Sequence, residues 1–296
     1  MKIRENLYIF VPAFNYSQYF MKKTRVLYVS QEITPFLPKS ELSEVARNLP
    51  QGIHEKGKEI RVFMPRYGSI NERRHQLHEV IRLSGMNLVV DDTDHPLIIK
   101  VASIPTARMQ VYFIDNEDFF QRKAVFENKN TGEFFKDNDE RSIFFCRGVL
   151  ETVRKLGWAP DIIHCHGWFT SLLPLYVKKF YNDDPHFSEA KIVYSAYEDG
   201  FEGSLDKNLV NKLKFDGFNE EDIEGLGDPT FEALNKFAFR YSDGIIEGSE
   251  ELPSEIKNAI DSSDKSTMEY CDLATCVKAY SDFYDEIVEE NSVLVE

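Results

Sequence analysis

The sequence predicts an α/β fold, a parallel sheet flanked by helices. Three observations carry that prediction. Short apolar runs rich in β-branched residues end in polar residues, as buried parallel strands do. Stretches with helical spacing separate those runs. Finally, 42% of the 296 residues are hydrophobic and 13% aromatic, enough to fill one large core or two small ones. No internal repeat or low-complexity segment interrupts the pattern.

Residues 1–21 read as an N-terminal extension. Leu7 to Phe14 is a short apolar run with Pro12 inside it, and it follows Lys2 and Arg4. That imitates a secretory leader, but Glu5 and the missing small-residue cleavage site speak against one. The domain begins at 22. Arg25 to Ser30 (RVLYVS) is the first strand. Leu42, Val45, Ala46, Leu49 and Ile53 then follow at helical spacing, with Ser40 as N-cap and Gly57 as the stop. Ile60 to Met64 is the next strand, ending at Pro65. Further strands are expected at Leu97 to Val101, Met109 to Ile114, Asp161 to Cys165, Ala190 to Ser195 and Gly244 to Ile246. Helices are expected over Asp139 to Lys155 and Leu172 to Tyr181. Ligands of such sheets bind beyond the carboxyl ends of the strands.

The alternation stops at 249. Residues 250–268 are acidic, lack periodicity and read as a linker. Residues 269–296 hold an amphipathic helix with Leu273, Val277, Tyr280, Phe283 (or Tyr284) and Ile287 on one side. That helix needs a partner surface, in its own domain or another protein.

Composition bounds the function. The formal net charge is −15, and from Glu250 onward thirteen acidic residues face three basic ones. A nucleic-acid partner is not expected, because phosphates require a cationic surface. No run is long enough to span a membrane. Cys146 and Cys165 lie in apolar stretches and read as buried thiols. Cys271 and Cys276 belong to no paired Cys or His motif, so zinc is not expected. This usage fits a reducing compartment, and the expected location is cytoplasmic.

Several strand ends resemble the glycogen/starch synthase family. Gln31-Glu32-Ile33-Thr34-Pro35-Phe36 after Ser30 looks like the family's Ser-Glu-x-x-Pro-Phe lead-in, and Leu42-Ser43-Glu44-Val45 and Leu49-Pro50 continue in register. Met64-Pro65-Arg66-Tyr67, Val111-Tyr112-Phe113-Ile114-Asp115 with Phe120 and Arg122, and Asp137-Asn138 with Arg141 follow in family order. Trp158-x-Pro160-Asp161-Ile162-Ile163-His164-Cys165-His166-Gly167-Trp168 is the most specific match. The resemblance covers residues 22 to about 257. It implies a single Rossmann-like GT-B N-terminal domain acting on α-1,4-glucan, with ADP-glucose as donor and no cofactor. The tail segment Lys278-Ala279-Tyr280-Ser281-Asp282-Phe283-Tyr284 looks like the family's last helix, which crosses back onto the N-terminal domain. On that reading the nucleotide-gripping second domain is missing from the middle, and a separate protein partner would have to supply it.

The chemistry is then tested residue by residue. Transfer from a nucleoside diphosphate sugar builds negative charge on the departing phosphate, so cations and donors must meet it. The family supplies a Lys-x-Gly-Gly loop; here the stretch is Pro38-Lys39-Ser40-Glu41-Leu42. Proline takes the lysine position and Glu41 a glycine position, so the donor loop is expected to be degraded. Lys39, one position on, is kept as a candidate binding residue, as are Arg122 and Glu44, which replaces the family's aspartate. His164 and His166 lie two apart on a strand and share a face. A metal, a structural hydrogen-bonding role, and a sugar contact by resemblance at His166 stay open for them, with Gly167 replacing the family's aspartate. Tyr197 stands where a sugar-contacting histidine is usual, and Phe201-Glu202-Gly203 where Tyr-Gln-Gly is usual. Trp168 fits core packing or stacking on a sugar ring. A hydrolytic pair of Glu32 and Asp115 has nothing in the sequence to bring it together. Two functions follow: a glycosyltransferase subunit impaired alone, or a non-catalytic glucan-binding or regulatory partner of a synthase.

Overall fold

A computed structural model of the chain describes residues 23–289; the N-terminal extension lies outside the described residues. Strand β1 (Arg25–Ser30) leads into helix α1 (Glu41–Glu55) and returns as β2 (Glu59–Pro65). Ser40 caps α1 as expected. Its hydroxyl accepts the Ser43 N–H at 3.0 Å, and the Ser43 hydroxyl accepts the Ser40 N–H at 2.9 Å, a reciprocal box that satisfies two otherwise unpaired donors. Short α2 (Glu72–His75) precedes β3 (His78–Glu79), β4 (Met86–Val90), β5 (Thr93–Ile104) and β6 (Met109–Asp115). After α3 (Glu117–Phe120) and the long α4 (Asn138–Leu156) come β7 (Ile162–His166), α5 (Leu173–Leu175) with a π-helical turn at Tyr176–Phe180, and β8 (Lys191–Ala196). The chain finishes with α6 (Leu209–Phe215), α7 (Phe231–Tyr241), β9 (Gly244–Glu247), α8 (Ser254–Asp261), β10 (Ser266–Met268) and α9 (Leu273–Glu289).

The strands join in the order β10-β9-β8-β7-β1-β2-β6-β5-β3. The run from β10 to β6 is parallel, whereas β5 is antiparallel to β6, β4 and β3. The parallel strands are buried almost throughout, which is why they read as continuous apolar runs. β5 departs from expectation: it is longer than Leu97 to Val101 and reverses direction. Its polar start, Thr93-Asp94-His95-Pro96, pairs with β4 in a hairpin at the sheet edge.

The acidic segment 250–268 is not a linker. It forms α8 and β10, and β10 extends the sheet beside β9. Ile256 and Ile260, four apart, are both buried; that spacing seats one apolar side of α8 while its carboxylates face water. Cys271 and Cys276, read from the sequence only as outside any zinc motif, depart from the reducing-compartment reading of the cysteines. They are joined as a disulfide at the start of α9, with Cα atoms 5.9 Å apart. Cys146 and Cys165 are free and buried, as expected.

Helix α9 docks on its own domain. It packs beside α1 across the sheet face that carries His164, His166 and Ser195, burying Tyr280, Phe283, Tyr284 and Ile287. Gly244 of β9 makes room for it: a Cβ there would lie 2.3 Å from Ile287 Cδ1. Lys58 and Asp285 close the outer edge with an ion pair at 2.6 Å. Cys165, alternating with the histidines, points to the opposite face, where α4 brings Cys146.

Candidate functional site

Strand order reverses at β1, whose neighbours β2 and β7 lead the chain to opposite sides, and such a switch point opens a crevice at the carboxyl ends. A cleft of about 680 Å³ lies there, with Glu32, Lys39, Trp168, Asp199 and Phe201 among its walls. A single amide ties its strand ends together. Gln31 Nε2–H donates to Asp199 Oδ2 at 2.7 Å, and Gln31 Oε1 accepts the Phe169 N–H at 3.1 Å. Gly167 is required by this arrangement. It has φ +83°, and a Cβ would meet Gln31 Oε1 at 2.4 Å, so the aspartate expected by resemblance has no room.

Asp199 was not singled out from the sequence, although an acidic residue just past a strand end, before Gly200, is a visible signal. The residue keeps some exposure, but its Oδ1 is sealed and has no hydrogen-bond partner among the described residues. Oδ2 also accepts the Trp168 N–H at 3.4 Å. Burial raises its carboxyl to about 7, and the charge of nearby Glu32 adds to the rise against the lowering hydrogen bonds. Burial likewise raises Glu32, partly offset by the Ser40 hydroxyl that donates to it. The carboxylate that neighbours Glu32 is therefore Asp199. Asp115 is engaged elsewhere, paired with Arg66 at 2.9 Å and Lys100 at 3.0 Å.

The candidate binding residues do not converge. Lys39 lines the cleft but is 77% exposed at its side chain and paired with Glu44 at 2.7 Å. Glu41, at the family's glycine position, accepts a hydrogen bond from the Ser249 hydroxyl, which itself accepts the Glu198 N–H at 3.1 Å. The start of α1 is thus capped by Ser40 and flanked by the carboxylates of Glu32, Glu41 and Glu44. Arg122 is held by two bonds to Asp137 and lies 4.2 Å over the Phe135 ring, away from the cleft walls.

His166 and Tyr197 lie beneath the cleft, fully enclosed. His166 Nδ1 and the Tyr197 hydroxyl are 2.8 Å apart, and the Tyr197 ring lies against Gly248. His166 Nε2 has no partner among the described residues, and burial lowers the ring to about 3, so it is neutral. Neither residue reaches a ligand in the cleft in this arrangement. His164 shares hydrogen bonds with the Tyr284 hydroxyl at 2.6 Å and the Ser195 hydroxyl at 2.7 Å, and Tyr284 also reaches the Tyr28 hydroxyl at 3.3 Å. Of the readings left open, the structural one describes His164. Among the described residues, no group of three or more His, Cys, Asp or Glu side chains is placed to hold a metal ion. Nor is any described helix long and apolar enough to cross a membrane.

Of the two readings of Trp168, core packing is the one the structure displays. It is 1% exposed and packs against Phe126, Phe134 and Phe201, yet it forms part of the cleft wall. Rings of Phe126, Phe134, Trp168 and Phe201 line the cleft together with the carboxyl groups of Glu32, Glu127, Asp199 and Glu202 and the lysines Lys39 and Lys129. Such a surface suits a neutral ligand with many hydroxyls, since aromatic faces cover its apolar sides and carboxylates accept its O–H groups.

Comparison with known proteins agrees with the fold. The sequence model of the family described as starch synthase catalytic domain matches residues 25–266. The glycogen synthase of Chlorobium limicola is 42% identical over 189 residues, covering 64% of this chain and 39% of that enzyme. That of Chlorobaculum tepidum is 36% identical over 235 residues, covering 76% of this chain and 48% of that enzyme. The chain thus spans less than half the length of these relatives. Among solved structures, the catalytic domain of starch synthase IV from Arabidopsis thaliana, bound to ADP and acarbose, superimposes with a TM-score of 0.63 at 20% identity. The match covers 76% of this chain and 45% of that one.

Proposed function

The chain belongs to the starch synthase catalytic domain family, and from that premise we propose that it serves α-1,4-glucan metabolism as a glucan-binding domain whose own donor loop does not hold a nucleotide diphosphate. One observation carries the reading. The amino end of α1, where a phosphate would approach, is closed by Ser40 and surrounded by Glu32, Glu41 and Glu44, while the loop lysine is already paired with Glu44. A carboxylate about 5 Å from a phosphate charge opposes it by roughly 3 kcal/mol at an effective dielectric near 20. The enclosure of His166 by Tyr197 supports the same reading, because the residue aligned with a sugar-contacting histidine is out of reach. The cleft offers what a glucan needs: aromatic residues Trp168 and Phe201 in its wall, and carboxylates at Glu32 and the exposed Glu202.

Affinity electrophoresis in gels containing glycogen or amylopectin tests binding, and ADP release from ADP-glucose tests transfer. The expected pair of results is retardation by glucan with no ADP release. Sustained ADP release by this chain alone would refute the donor-loop half of the reading; unretarded migration on every glucan would refute the other.

A partnered transferase is the second reading, and the stretch between β9 and α9 favours it. That stretch holds α8 and β10 and nothing the size of a nucleotide-binding domain. Transfer would then need a nucleotide-binding lobe beyond residues 1–296, and ADP release on adding such a lobe, absent with either part alone, is the distinguishing result.

A further inference from the structure

A hollow of about 450 Å³ lies between α1 and the segment that enters α9, and it shares no wall residue with the cleft. Its walls carry the carboxylates of Glu41, Glu44 and Asp272 and the phenol rings of Tyr270 and Tyr280. Among the described residues that line it there is no lysine, arginine or histidine. Glu41 and Glu44 stand three apart on α1 and so share a face. Glu41 occupies a position where the family resemblance leads one to expect glycine, which makes this charge a property of the chain itself.

Tyr280 supplies an independent observation. It is 3% exposed, yet its hydroxyl donates no hydrogen bond to any described residue. The charged groups that act on that hydroxyl are Tyr270 and Glu41, both on the wall, so it is aimed at the hollow. A buried hydroxyl left unpaired is costly, and a ligand in the hollow would supply the missing partner. The remaining wall is fixed in advance. The Tyr270 hydroxyl donates to Glu41, and Cys271 is joined to the fully buried Cys276 in the first turn of α9. The next residue, Val277, packs against Gly52, where a Cβ would lie 2.7 Å from its methyl groups. A ligand would therefore lose little entropy in ordering the site.

We infer that this hollow binds a small aliphatic polyamine, its ammonium groups meeting Glu41, Glu44 and Asp272 and its methylenes lying against Tyr270 and Tyr280. The chemistry of the wall selects this occupant. Ammonium groups carry three donors each for carboxylate and phenol oxygens, and tyrosine faces attract cations. The cluster already draws one tethered ammonium, since Lys39 Nζ reaches Glu44 from the solvent side at 2.7 Å. A phosphate would be repelled by the same carboxylates. No group of three or more described acidic side chains is placed to hold a single metal ion, so charges spread along a chain match the wall better than one concentrated on an atom. The volume falls in the range of a small-ligand site. This inference extends the donor-loop half of the proposed function, because the Glu41 that opposes a diphosphate is the one that attracts the amine. It does not draw on glucan binding.

Isothermal titration of the whole chain with spermidine tests it. One site per chain is expected, with Nα-acetyl-lysinamide, which carries a single ammonium, at least about tenfold weaker. Glu41→Gln and Tyr280→Phe should each weaken spermidine about tenfold, the factor of one lost hydrogen bond to a charged group. Absence of spermidine binding overturns the inference, and equal affinity for Nα-acetyl-lysinamide overturns the polyamine as ligand; neither arm depends on a variant folding. Unchanged spermidine affinity in both variants, each with native thermal unfolding, places the amine elsewhere on this acidic chain and also overturns it. ADP titrated into the unaltered protein separates the two readings. If neither spermidine nor ADP binds, this inference alone fails; if ADP binds, the donor-loop reading falls and takes this inference with it.

Discussion

Replacing Asp199 with asparagine should stabilise this protein at pH 8 and leave it unchanged at pH 4. The native carboxyl is held at about 7 against an ordinary value of 3.8, mainly by burial. The sign follows from proton counting. Below pH 4 the group is protonated in both folded and unfolded chains, so it costs nothing. Between about 4 and 7 the unfolded chain has released the proton while the folded one retains it, and stability falls as pH rises. Above about 7 the full penalty applies. Three units at 1.36 kcal/mol each set a ceiling of about 4 kcal/mol. Asparagine removes the charge, and its carbonyl oxygen still accepts from Gln31 Nε2 and the Trp168 N–H, as Oδ2 does now. Denaturant unfolding at pH 4, 6 and 8 for both proteins measures the difference directly. At about 2–4 °C per kcal/mol for a chain of this size, the melting temperature at pH 8 should rise by up to roughly 8–16 °C. A gain of the same size at all three pH values, or a loss at pH 8, would refute the assignment of a buried, proton-holding carboxyl.

Tyr284→Phe should cost about 1–3 kcal/mol, because it leaves buried His164 and Tyr28 without a shared partner; denaturant unfolding reads this, and an unchanged midpoint contradicts the network. A chain stopped after Met268 lacks α9 and should bind a hydrophobic dye strongly and lose cooperative unfolding, since Tyr280, Phe283, Tyr284 and Ile287 are all buried by that helix. Unaltered unfolding of that shortened chain would mean α9 is not seated on the sheet. Restoring the donor loop with Pro38→Lys and Glu41→Gly should raise affinity for ADP at least about tenfold over the parent, by adding a cation and removing an opposing carboxylate; calorimetric titration with ADP shows whether it does.

Much of this architecture could be read from residue order. Arg25 to Ser30 and Asp161 to Cys165 announce buried parallel strands because both faces are covered, which leaves no polar alternation to confuse. Ser40 and Gly57 mark α1 by backbone chemistry that acts locally. β5 was only half visible, since its first residues pair with β4 in an edge hairpin where Asp94 and His95 are tolerated. α8 was hidden for a different reason. Its carboxylates dominate the composition of 250–268, while its buried residues are just two isoleucines four apart.

The site was less legible. Strand alternation correctly put His164 and His166 on one face, but alternation says nothing about which helix covers that face, and α9 does. Gly167 looked like a lost acid; the amide of Gln31, which fills the space, comes from a strand end far away in sequence. Asp199 escaped notice because its proton affinity arises from burial and from Glu32, neither of which a single sequence displays.

The Tyr28–Tyr284 contact joins residues 256 positions apart. During translation at 5–20 residues per second, that interval lasts on the order of ten to fifty seconds. His164 precedes Tyr284 by 120 positions, so its face stands without its cover for roughly six to twenty-four of those seconds, showing water two histidines and several tyrosine rings. That face is completed only when the last helix of the chain, α9, arrives.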